Sequence, residues 1–221
     1  MAIRRSKLKP KSFAQQLNDV CSVFPKLKIF RTSQGCYLYG SLDLYDENGL
    51  VWQTFEVEIH RSMGFPSRFP LIYEVGGLIP PASDWHINVG DEDLKKSCCI
   101  AVLPTEVIAC AKGITVVDFI KQYALPYFYK QAYRLNYGYY PGMEYPHGLE
   151  GVWVYYRELF NVDNNENILK ILTQYSKSFH KKSLCFCGNG NKFRNCHPEV
   201  YRTLRSMPEG FITWQLKALN G

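Results

Sequence analysis

"CYLYGSLDLYDENGLVWQTFEVEIH", residues 36–60, alternates apolar and polar residues on both sides of a turn signal. In the first arm Cys36, Leu38, Leu42 and Leu44 share one face. In the second, Val51, Phe55, Val57 and Ile59 point one way, and Trp52, Thr54, Glu56, Glu58 and His60 the other. A period of two marks a strand with one buried face. "DENG" at 46–49 carries hairpin-turn chemistry. The pair predicts the heart of an antiparallel sheet.

Working outward, residues 28–75 read as a four-strand meander whose last strand is "LIYEV" after "GFPSRFP". Before it, Ser12 with Gln15 forms a capping-box pattern. Phe13, Leu17, Val20, Cys21 and Phe24 then fall on one helical face, and Pro25 ends the helix. After the meander, residues 76–113 read as one long irregular loop, a feature that is usually functional. Helices are expected over 114–137, kinked or divided at Pro126, and over 149–160 and 165–179. In the last of these, Ile168, Leu172, Tyr175 and Phe179 share a face. A final helix, interrupted by Pro208 and Gly210, ends near Leu219. Helix, meander, loop, helices: the order predicts an α+β domain. The expected partition is a basic tail at 1–11, a domain at 12–162 and a helical C-terminal region at 163–221.

The net charge is +6, but Arg4, Arg5, Lys7, Lys9 and Lys11 supply five of the positives. Such a tail is expected to be a solvated end, or else a contact for nucleic acid or acidic partners. No basic stripe runs through the body, so direct nucleic-acid binding is not expected. No apolar run reaches the roughly 20 residues of a membrane helix, and no secretory signal opens the chain. A reducing cytoplasmic setting follows, in which eight cysteines are not a disulfide framework.

"CFCGNGNKFRNCH", residues 185–197, places Cys185, Cys187, Cys196 and His197 within thirteen residues. Three sulfurs and one ring nitrogen suit a tetrahedral Zn²⁺. Gly188 and the Asn189-Gly190 turn let backbone N–H groups face the thiolates, and Lys192 and Arg194 offset their charge. With few apolar residues in the knot at 183–198, the metal is expected to supply its folding energy. The stretch resembles the SEC-C motif, a small zinc module at the C-terminus of the secretion ATPase and of many bacterial proteins. That resemblance implies a structural or partner-docking zinc, with no open position for substrate.

"DWHINVGDEDLKKSCCIAVL", residues 84–103, contains the other chemistry: His86, Asn88 and the doublet Cys98-Cys99. If one thiol of the doublet faces solvent, its neighbour packs inward as a small apolar group. Cys21, Cys36 and Cys110 read as packed. The order of elements, with "FPSRFPLIYEV", "HIN" and "CIAVL", resembles the ubiquitin-conjugating-enzyme (UBC) family over roughly residues 12–135. Three departures are plain: Ile87 replaces the family's Pro, the Asn-to-Cys spacing is longer, and Ala101 stands where an acidic residue is frequent. The resemblance implies a UBC-like fold with Cys99 as the thioester nucleophile and Asn88 as an oxyanion donor. His86 would brace the loop or, in a hydrolase, act as base. It implies a protein substrate. In bacteria that extends to the C-terminus of a cGAS-like nucleotidyltransferase, as in the anti-phage systems called CBASS. A non-catalytic UBC-fold interaction module remains the alternative. There is no Walker-type phosphate loop, no third Gly after "GNG" for a dinucleotide fingerprint, and no Gly-x-Ser-x-Gly elbow. An acyl group must therefore arrive already activated.

Overall fold

A computed structural model describes residues 11–33, 35–89, 96–177, 180 and 182–220. Arg4, Arg5, Lys7, Lys9, Phe179 and Gly221 lie outside the described residues. Contacts divide the chain into two compact units, residues 1–100 with 113–141, and residues 101–112 with 142–221.

The first unit begins with α1 (Phe13–Val23). Gln15 Oε1 accepts from the Ser12 N–H at 2.8 Å, as the capping pattern predicts. Phe13, Leu17 and Val20 are buried. The sheet follows: β1 (Leu27–Thr32), β2 (Gly35–Tyr45), β3 (Val51–His60) and β4 (Leu71–Glu74) pair antiparallel in sequence order. Leu38, Leu42, Leu44, Phe55, Val57 and Ile59 are fully or almost fully buried, so the predicted register holds. Two ends depart from it. Val51 is exposed, because a bulge between Leu44 and Tyr45 breaks the period of two. Cys36 is half-buried beyond the last core position, opposite exposed Arg31; Cys21, on the last turns of α1, is half-buried too. Neither is the core residue the sequence suggested.

Gly40 is required where β2 passes β1. Its φ is +147°, and a Cβ there would lie 2.1 Å from the Lys26 carbonyl oxygen. After the sheet come α3 (Val116–Phe119), a π-helical turn (Ile120–Ala124) and α4 (Leu125–Tyr137), whose Phe128 packs on Phe55 of the buried sheet face at 4.8 Å. Pro126 lacks the N–H that a regular α-helix would bond one turn back. The wider π-turn just before it takes up the fault without ending the helix. Buried Gln16 joins α1 to this region, its Oε1 accepting from the Val116 N–H at 2.8 Å.

The second unit is helical: α2 (Leu103–Ala111), α5 (Gly148–Phe160), α6 (Asn165–Lys177), α7 (Phe193–Cys196), α8 (Pro198–Ser206) and α9 (Phe211–Asn220). Helix α2 corrects the expectation of an unbroken loop over 76–113. Pro104 sits in its first turn, where a missing N–H costs nothing, and Val107, Ala109 and Cys110 are buried. The partition also differs from the expected boundary at 162. Val152, Tyr156 and Phe160 of α5 share one apolar core with Ile168, Leu172 and Tyr175 of α6. Among the described residues no helix is long and apolar enough to cross a membrane.

Candidate functional site

Residues 86–88 pair antiparallel with residues 97–99. Asn88 N–H donates to the Ser97 carbonyl at 2.9 Å, Cys99 N–H to the His86 carbonyl at 2.7 Å, and Ile87 bridges Cys98. On its other side, Cys98 N–H donates to the Ile72 carbonyl of β4 at 2.8 Å. Segment 97–99 thus runs between β4 and residues 86–88. Successive side chains alternate faces in such a segment. Cys98 is 6% exposed, whereas Cys99 is only half-buried. Burial pushes the Cys98 thiol up to about 12, against the pull of a bond to the Tyr127 hydroxyl. Cys98 stays a neutral packing group, as expected of the inward member of the pair.

A ring nitrogen of His86 lies within 4.8 Å of Cys99 Sγ. His86 adopts φ +52°, ψ +43°, a left-handed conformation uncommon for a residue with a Cβ. That turn aims its carbonyl at the Cys99 N–H. The turn is thereby tied to Cys99 through the backbone, and a ring nitrogen is also brought within 4.8 Å of the sulfur. Asn88 is placed differently from expectation. Its Nδ2 donates to the Ser97 carbonyl at 3.2 Å and to Ser97 Oγ at 3.0 Å, tying the two strands together.

Sequence reasoning overlooked the side of α4 that holds this turn. Tyr127, Gln131 and Arg134 follow the i, i+4, i+7 spacing of one helical face. Tyr127 Oη donates to the His86 carbonyl at 3.2 Å, Gln131 Nε2 to the Trp85 carbonyl at 3.1 Å, and Arg134 pairs with Asp84 at 2.8 Å. The spacing was the available signal. Polar side chains on the buried face of a helix have to find partners.

In the second unit, donor atoms of Cys185, Cys187, Cys196 and His197 lie within 4.8 Å of one another. Cys187 Sγ and Cys196 Sγ are 3.5 Å apart, and Cys185 Sγ and His197 Nδ1 are 3.0 Å apart. A tetrahedral Zn²⁺ with Zn–S near 2.3 Å sets sulfurs about 3.8 Å apart. The Cys187–Cys196 separation lies within tenths of an ångström of that value, and the four groups are geometrically able to hold a metal ion. As the turn predicted, N–H groups face the sulfurs: that of Cys187 bonds the Cys185 thiol, and that of Asn189 bonds Cys187 and lowers its proton affinity. Asn189 Nδ2 also donates to Cys196 Sγ at 2.9 Å. Burial pushes Cys185 up to about 12. Gly188 and Gly190, both with positive φ, make the tight wrap possible. The knot has more apolar support than expected. Phe193 is fully buried and stacks on Tyr175 of α6 at 4.5 Å, and Phe186 lies 4.8 Å from the His197 ring. Tyr175 Oη donates to the Leu184 carbonyl at 3.0 Å.

No family model and no curated protein matches this chain.

Proposed function

We propose that this chain is a cysteine-dependent acyl transferase of the ubiquitin-conjugating type, with a UBC-like first unit and a structural Zn²⁺ in the Cys3His knot. Cys99 Sγ attacks an activated C-terminal carbonyl of a protein; the activating group leaves and a thioester forms. An amine then attacks the same carbonyl, the Cys99 thiolate departs, and the acyl group ends in an amide. Cys suits both steps, because a thiolate is a good nucleophile and a good leaving group. The observation that carries this reading is a half-buried Cys99 Sγ within 4.8 Å of a His86 ring nitrogen, on a strand whose other thiol is shut inside. Asn88 keeps the strands in register through Ser97. It becomes an oxyanion donor only by releasing that partner.

The substrate we propose is the C-terminus of a cGAS-like nucleotidyltransferase in bacterial anti-phage signalling, in a reducing cytoplasm. This rests on the resemblance of "HIN" and "CIAVL" to the family. The test is co-expression with such a partner and intact-mass analysis. A thiol-labile adduct on Cys99, converted to a stable ester in Cys99→Ser, is the expected result. Absence of any adduct, with Cys99→Ala fully active in cells, refutes it and leaves a non-catalytic module docking through the knot. The placement of a His86 ring nitrogen within 4.8 Å of Cys99 Sγ also favours a second reading, a thiol hydrolase with His86 as base. Cleavage of an isopeptide substrate without ligated product distinguishes it.

A further inference from the structure

We infer that Arg134 is the positioning residue for the Cys99 thiol, acting through the turn at 84–86. The inference rests on the reading of Cys99 as the reactive group. Arg134 donates through Nη1 to the Asp84 carbonyl and through Nη2 to Asp84 Oδ2 at 2.8 Å. Its guanidinium lies 3.9 Å from the Trp85 ring centre and 4.8 Å from that of Tyr140. One planar cation thus grips a backbone carbonyl, a carboxylate and two rings, which a lysine cannot reproduce. Tyr140 in turn sets its ring edge against His86, centroids 5.4 Å apart, and its hydroxyl donates to Gln131 Oε1 at 3.1 Å.

The residue held at the end of this grip is His86, in a conformation that costs free energy and persists only where neighbours impose it. Its carbonyl receives the Cys99 N–H, and its ring stands by Cys99 Sγ. Arg134 touches neither reacting atom. It fixes Asp84 and Trp85, and these fix the strained residue that locates the thiol. An exposed Arg–Asp pair alone contributes little. Here the side chain of Arg134 is only 17% exposed and its contacts converge on one turn.

The experiment uses the full chain. Iodoacetamide labelling of Cys99 is followed by peptide mass spectrometry, and the His86 imidazole proton is followed by NMR, where the Tyr140 ring marks its position. Arg134→Met is expected to slow Cys99 labelling about tenfold, as for one lost hydrogen bond to a strained turn, and to move the His86 resonance. Methylguanidinium added to Arg134→Gly is expected to restore both. Arg31→Met, a surface change on β1, is expected to alter neither. Should Arg134→Met fail to fold, Asp84→Ala removes the grip from its more exposed side and is expected to act in the same direction. Unchanged labelling with an unmoved His86 signal overturns the inference, as does a loss that only parallels global melting. Normal labelling with no thioester formed counts against the transferase reading alone.

Discussion

Selective alkylation of the Cys98-Cys99 doublet tests the arrangement of the site directly. At pH 8 an ordinary thiol of pKa about 8.5 is roughly one-quarter ionised. Cys98, pushed by burial to about 12, is ionised about one part in ten thousand. The deficit in thiolate is roughly 2,000-fold. A more basic thiolate is intrinsically more nucleophilic, and a Brønsted slope of about 0.45 returns roughly 40-fold over that pKa difference. The balance leaves Cys98 about 50-fold slower than an ordinary thiol, before counting its 6% exposure. Iodoacetamide at pH 8 with peptide mass analysis reads both sites in one sample. Cys99 is expected to label and Cys98 to stay free until the chain is unfolded. The sign with pH is fixed as well. Raising the pH from 9 towards 12 ionises Cys98 in the unfolded chain before the folded one, so stability falls over that window. Equal labelling of the two thiols in folded protein would remove the assignment of Cys99 as the presented sulfur.

Protein purified without added metal is expected to carry about one zinc per chain, retained in Cys99→Ala and lost in Cys185→Ser; elemental analysis decides. Because Cys185 must lose its proton to bind, chelator-stripped protein is expected to reload more tightly at pH 8 than at pH 6, and equal affinity refutes that role. Gly40→Ala is expected to destabilise the first unit by about 2 kcal/mol or more, since a Cβ 2.1 Å from the Lys26 carbonyl forces β1 and β2 apart. Chemical denaturation reads this, and a midpoint within error of wild type would contradict the close approach.

The sheet was legible because a single rule governs it. One buried face forces a period of two, and Leu38, Leu42, Leu44, Phe55, Val57 and Ile59 obey it. The Cys3His cluster was legible because donors so close in sequence need little tertiary contact to meet. Helix α2 was hidden by its length. Nine residues with a proline in the first turn read as loop unless Val107, Ala109 and Cys110 are known to meet a core. The aromatic support of the knot was hidden for a related reason: Phe193 and Tyr175 are eighteen positions apart and meet only in the folded chain. The grip of Arg134 on Asp84 spans fifty positions, and nothing local marks the pair.

Adjacency of the two cysteines follows from the strand itself. Segment 97–99 bonds alternately outward, Cys98 N–H to β4 and Cys99 N–H to His86. Ser97 and Cys98 are buried, and Cys99 is half-buried. A thiol presented beside His86 must therefore have a neighbour turned into the sheet, and that neighbour must be small, uncharged and tolerant of desolvation. Cysteine meets those needs at position 98, with Tyr127 supplying its polar partner. Exchange of roles between the two sulfurs is barred by geometry. A one-residue slip of the segment would break the bonds from Cys98 N–H to Ile72 and from Cys99 N–H to His86 at once.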